Sequence, residues 1–120
     1  MKQIITIFAL LLINFTFAQD KNARANMEVD GVCVMCKERI EKAAIKTKGV
    51  KSAVWSIETH QLSLIYDARK TNLDSISNHV AAVGHDTKAA KATEEAYLSV
   101  HDCCRYRDDE VQKEHEGEKN

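Results

Sequence analysis

The 120-residue sequence contains no proline, so nothing in it can depend on a cis-prolyl bond. Its formal net charge is only −1, which leaves no basic footprint for nucleic acid and no strong attraction to anionic membranes. No serine–histidine–acid set, phosphate loop or paired-carboxylate pattern stands out, which removes the case for hydrolytic or phosphoryl chemistry. Internal repeats are absent. So is any apolar run of the roughly 20 residues that a bilayer span requires: the run from Ile4 to Ile13 is interrupted early by Asn14 and Thr16.

That short run has a use of its own. Lys2 precedes it, and Thr16-Phe17-Ala18 follows as a small-x-small site. This is the pattern of a secretory signal over residues 1–18, cleaved after Ala18. The expected product is exported, periplasmic or secreted, with no membrane insertion after cleavage. No cysteine stands at the cleavage point to carry a lipid. Four cysteines remain, Cys33, Cys36, Cys103 and Cys104. In an exported chain they permit two disulfides, and their spacing equally suits metal ligation.

Beyond the signal, Ala25, Met27 and Val29 alternate with polar neighbours, as in a half-buried strand ending at Gly31. Ile40, Ala43, Ala44 and Thr47 then recur at helical spacing, with Gly49 placed to stop the helix. Cys36, four residues before Ile40, belongs to the first turn on the same face. Ala53, Trp55 and Ile57 alternate, as do Leu62, Leu64 and Tyr66, with Glu58 to Gln61 as a polar turn, giving a hairpin. Thr71-Asn72-Leu73-Asp74 has the form of a capping box. The helix it opens continues through Leu73, Ile76, Val80 and Val83 to Gly84, and Thr87 to Ala90 is expected as a last strand. The order predicts an α+β, ferredoxin-like βαββαβ sandwich: a four-stranded antiparallel sheet with two helices on one face. Thr93 to Val100 reads as a short helix. Residues 105–120 are charged, poor in apolar groups and expected to be a mobile tail.

Cys33 and Cys36 sit on a loop that enters a helix. Unpaired amides and the positive end of the helix dipole face that position, and both favour thiolate. Two thiolates three residues apart can turn toward one ion, and sulfur donors select soft or borderline ions over calcium or magnesium.

Gly31-Val32-Cys33-Val34-Met35-Cys36 resembles the Gly-Met-Thr-Cys-x-x-Cys loop of heavy-metal-associated domains. Lys37 to Ala44, Gly49-Val50-Lys51-Ser52-Ala53 and Gly84-His85-Asp86 follow the same family's order, so the resemblance covers residues 24–90. It implies a ferredoxin-like fold that carries copper(I), mercury(II), zinc or cadmium, with Cys33 and Cys36 as ligands. Export makes the chain most similar to periplasmic copper- and mercury-binding members. Three departures stand out. Val32 replaces a methionine in a loop one residue shorter than the family's, and Ala68 stands where proline is common. His85 takes the place of a tyrosine, phenylalanine or lysine beside the metal, so it is a candidate third ligand or hydrogen-bond partner, against a solvated loop histidine.

Cys103 and Cys104, with His101, form an extension over residues 91–104 that lies outside the family pattern. They extend the first site, make another or form a disulfide; a four-ligand set would suit zinc or cadmium. His60, in the hairpin turn, reads as a polar turn residue and His79 as structural. Met35 and Trp55 read as packing groups. The expected function is a non-enzymatic carrier or scavenger of a soft ion, copper(I) preferred, with a metal transporter or other metal-accepting protein as partner. A thiol–disulfide redox protein is the alternative, weakened because thioredoxin-like enzymes need a cis-proline facing their Cys-x-x-Cys. An interaction module with structural disulfides is the other.

Overall fold

The computed structural model describes residues 20–116, so the expected signal, 1–18, lies outside the described residues. The chain runs β1 (Ala23–Glu28), α1 (Val34–Ile45), β2 (Val50–Trp55), β3 (Gln61–Tyr66), α2 (Leu73–Ala82), α3 (Glu94–Leu98), a 3-10 turn (Asp102–Cys104) and α4 (Asp109–Glu116). β3 lies between β1 and β2, antiparallel to both, with Ala25 and Ala53 both opposite Leu64. The strict in–out alternation of β1 matches its sequence pattern. α1 buries Cys36, Ile40, Ala43 and Ala44, a stripe at helical spacing that packs on β2 and α2. Trp55, Leu62, Leu64, Ile76 and Val80 complete the core, and the Trp55 indole N–H donates to the Val29 carbonyl at 3.0 Å.

Three expectations are corrected. The helix cap of α2 is Asn72, not Thr71: the Asn72 side chain accepts from the Ser75 amide at 2.9 Å. Asparagine caps at least as well as threonine, and the register follows the better-placed acceptor.

The fourth strand is also missing. Among the described residues the sheet has three strands, and the Thr87–Ala90 stretch contributes only one isolated bridge, from Thr87 to Val29. The Thr87 amide donates to the Ala90 carbonyl at 2.8 Å and the Ala90 amide donates to the Thr87 hydroxyl at 3.0 Å. Threonine thus closes a turn on itself, and Lys88-Ala89-Ala90 offers no branched or aromatic side chain to hold a strand against that pull.

The third correction concerns the end of the chain. The charged run starts anchored rather than unstructured, with Tyr106 and Arg107 held to the fold, while α4 after them buries no side chain. Tyr106 is buried; its hydroxyl donates to the Gly84 carbonyl at 2.7 Å and accepts from the Asp86 amide at 3.0 Å. Arg107 pairs with Asp86 at 2.8 Å, donates to the Ala92 carbonyl at 3.1 Å and lies over the Tyr97 ring. Two anchoring residues in a charged run are enough to fix its start.

Gly84, at φ +105°, is the seat of this arrangement: a Cβ there would meet the Ala96 carbonyl oxygen at 2.7 Å. α3 packs against a backbone position that only glycine fits. Among the described residues, no helix is long and apolar enough to cross a membrane.

Candidate metal centre

Cys33 occupies the cap position of α1 in extended backbone (φ −142°, ψ 175°), and Cys36 lies in the first turn, fully buried. Their sulfurs are 3.3 Å apart. Gly31 makes this packing possible, because a Cβ there would stand 3.0 Å from the Trp55 ring and 3.2 Å from the Cys36 Cβ. The Gly31 backbone therefore lies against the indole beside Cys36, and the two sulfurs meet at 3.3 Å.

The extension supplies the rest. Cys104, also fully buried, has its sulfur 3.0 Å from that of Cys33. The exposed Cys103 has its own 3.9 Å from Cys104 and 3.7 Å from the Met35 sulfur. The sulfurs of Cys33, Cys103 and Cys104 all lie within 4.8 Å of one another. None of these separations is near the 2.05 Å or so of a disulfide bond, and all four cysteines are free.

Charge is unequally shared among the thiols. Burial pushes the Cys33 thiol up, but hydrogen bonds from the Cys104 thiol and from the Cys36 amide and thiol outweigh it, and its pKa is lowered. Burial raises Cys36. Burial also raises Cys104, and hydrogen bonds with the Cys33 and Cys36 thiols add to the effect. The cluster places its first negative charge on Cys33, with neighbouring thiols as donors to it.

The histidines fall elsewhere. His85 is fully buried, neither a solvated loop residue nor a member of the sulfur cluster. Its Nδ1 lies 2.8 Å from the Asp30 carbonyl, which can only accept, so Nδ1 carries the proton. Nε2 is then the acceptor for the Arg39 guanidinium at 3.2 Å, and no lone pair is left for a metal. Burial holds its pKa down to about 4, with the Arg39 charge adding to the depression.

His101 is exposed at the start of the 3-10 turn, where its carbonyl accepts from the Cys104 amide at 2.8 Å. His60 stacks on Trp55, and His79 shares a 2.7 Å hydrogen bond with Thr47. Two residues that sequence reasoning passed over matter here. Arg39 follows Cys36 by three positions, hence on the same helix face, and reaches His85 at 3.2 Å. Tyr106, the aromatic nearest Cys104 in sequence, stacks on His85 with ring centroids 5.3 Å apart.

The fold and the loop have known relatives. A copper-exporting P-type ATPase of Staphylococcus haemolyticus (strain JCSC1435) is 30% identical over 73 residues, covering 60% of this chain and 9% of that protein. The chain thus spans less than a tenth of that relative's length. The solved structure of the CopZ metallochaperone superposes with a TM-score of 0.53 at 29% identity, covering 54% of this chain and 98% of that one. The water-soluble region of the P-type ATPase CopA from Bacillus subtilis gives 0.52 at 26% identity, covering 59% of this chain and 47% of that one. The sequence model of the heavy-metal-associated domain matches residues 27–86, half of the chain, and the protein belongs to that family.

Proposed function

We propose that the protein is an exported carrier of a soft metal ion, copper(I) or mercury(II), taken up between Cys33 and Cys36 for transfer or sequestration, with no catalytic chemistry of its own. The observation that carries this reading is the pair of sulfurs 3.3 Å apart at the mouth of α1, one of them biased toward thiolate. The relatives named for copper export and metallochaperone activity support copper(I) as the cargo and a metal transporter or other accepting protein as partner. Uptake begins at the Cys33 thiolate. Cys36 then gives up its proton as the ion supplies the positive charge that burial had denied it. Val34 and Met35 are exposed between the two ligands and offer an apolar edge against which a partner's thiol can approach.

Competition titration against a thiol chelator tests the reading. Cys33→Ser and Cys36→Ser should each weaken copper(I) or mercury(II) binding by at least about tenfold, since a two-sulfur grip loses half its donors. Undiminished affinity in either variant removes the proposal. Export is checked separately by N-terminal sequencing of the mature protein, which should begin at Gln19.

A further inference from the structure

We propose that Cys103 and Cys104 supply two further sulfurs to the ion gripped by Cys33 and Cys36, so that the C-terminal extension closes the site and the protein retains its cargo. This rests on the carrier reading above and adds the donor set and its consequence. Zinc-like ions in closed sites take four thiolates at about 2.3 Å, which requires sulfur–sulfur edges of about 3.8 Å. The Cys103–Cys104 edge already measures 3.9 Å; the Cys33–Cys36 and Cys33–Cys104 edges, at 3.3 and 3.0 Å, have to open by about 0.5 and 0.8 Å, and Cys36, outside the group of three, has to move in to join them. The donors come from two elements far apart in sequence, one at residue 33 and one at residue 104.

Their meeting is held by contacts that do not involve sulfur. Tyr106 and Arg107 fix the chain just beyond Cys104 onto Gly84 and Asp86, at the loop that follows α2. The isolated Val29–Thr87 bridge and the turn after it keep residues 88–92 at that same end. A lone buried cysteine is commonly a small apolar filler. Three thiols converging within 4.8 Å, beside a fourth 3.3 Å from one of them, are more than packing requires.

The test uses the reduced mature chain titrated with cadmium(II), read by the sulfur-to-cadmium charge-transfer band and by native mass spectrometry. The unaltered protein should take one ion per chain. In the Cys103→Ser/Cys104→Ala variant the band should fall to about half, as four thiolates become two, and cadmium should pass to a competing chelator at least about tenfold faster. Cys103→Ser alone, at an exposed position that leaves the packing of Cys104 intact, should lower the band by about a quarter.

An undiminished band and release rate in both extension variants, with Cys33→Ser still weakening cadmium binding by at least about tenfold, would overturn the four-sulfur site and leave the carrier reading standing. Full cadmium binding in Cys33→Ser as well would overturn both.

Discussion

At the scale of single residues, the same buried neighbourhood holds a group that titrates and groups that bind. His85 is neutral chiefly because burial disfavours the charged ring, and protonation would also place a second positive charge against Arg39. Its folded pKa of about 4 lies below the ordinary 6.5, so the unfolded chain binds the proton more tightly. The stability it contributes is complete above pH 6.5 and is lost as pH falls from there toward 4. The full difference amounts to about 3 kcal/mol. Urea titrations across that window should show stability declining with pH. His85→Gln should flatten the decline, and an unchanged slope in that variant would show that the burden lies on other groups. None of this was readable from position alone. The residue pattern placed His85 at the metal end, but which lone pairs remain there depends on Asp30 and Arg39, neither adjacent in sequence.

At the scale of elements, three strands, two helices and the loop between β1 and α1 follow from alternation, helical spacing and glycine stops, and were legible. The fate of residues 87–92 was not. A short polar segment after a helix reads equally well as an edge strand or as a turn, and a single hydroxyl, that of Thr87, decides between them. The outcome is decisive for the cysteines. A full fourth strand would carry the chain to the far end of the sheet, whereas the turn delivers it to the Asp86 carboxylate within six residues, where the Ala92 amide donates at 2.8 Å. The extension then stands on Tyr106. Tyr106→Phe leaves the buried Asp86 amide without its acceptor and should cost about 1–3 kcal/mol. Hydrogen exchange should locate that loss: amides of residues 103–107 are expected to exchange faster while those of β3 do not change. Uniform acceleration across the sheet would argue that the extension has no separate stability.

For the molecule as a whole, an ion shared by Cys33 and Cys104, as proposed, would join the start of α1 to the extension that follows the domain. The two cysteines are 71 positions apart, so the ligated chain is a loop enclosing nearly all of the core. By the chain-entropy model, a crosslink of that span stabilises by about 4 kcal/mol. Saturating cadmium should therefore raise the urea midpoint of the native chain well beyond that of Cys103→Ser/Cys104→Ala, with both fully loaded. Equal increments would mean that the ion is held on the first pair only. Because Cys104 lies between the sheet and α4, a protease that unravels the chain backward from α4 meets the Tyr106 and Arg107 anchors and then the sulfur–ion bonds before it reaches any strand. On the proposed site, occupancy then sets lifetime: empty carriers are cleared, while charged ones persist until their cargo leaves.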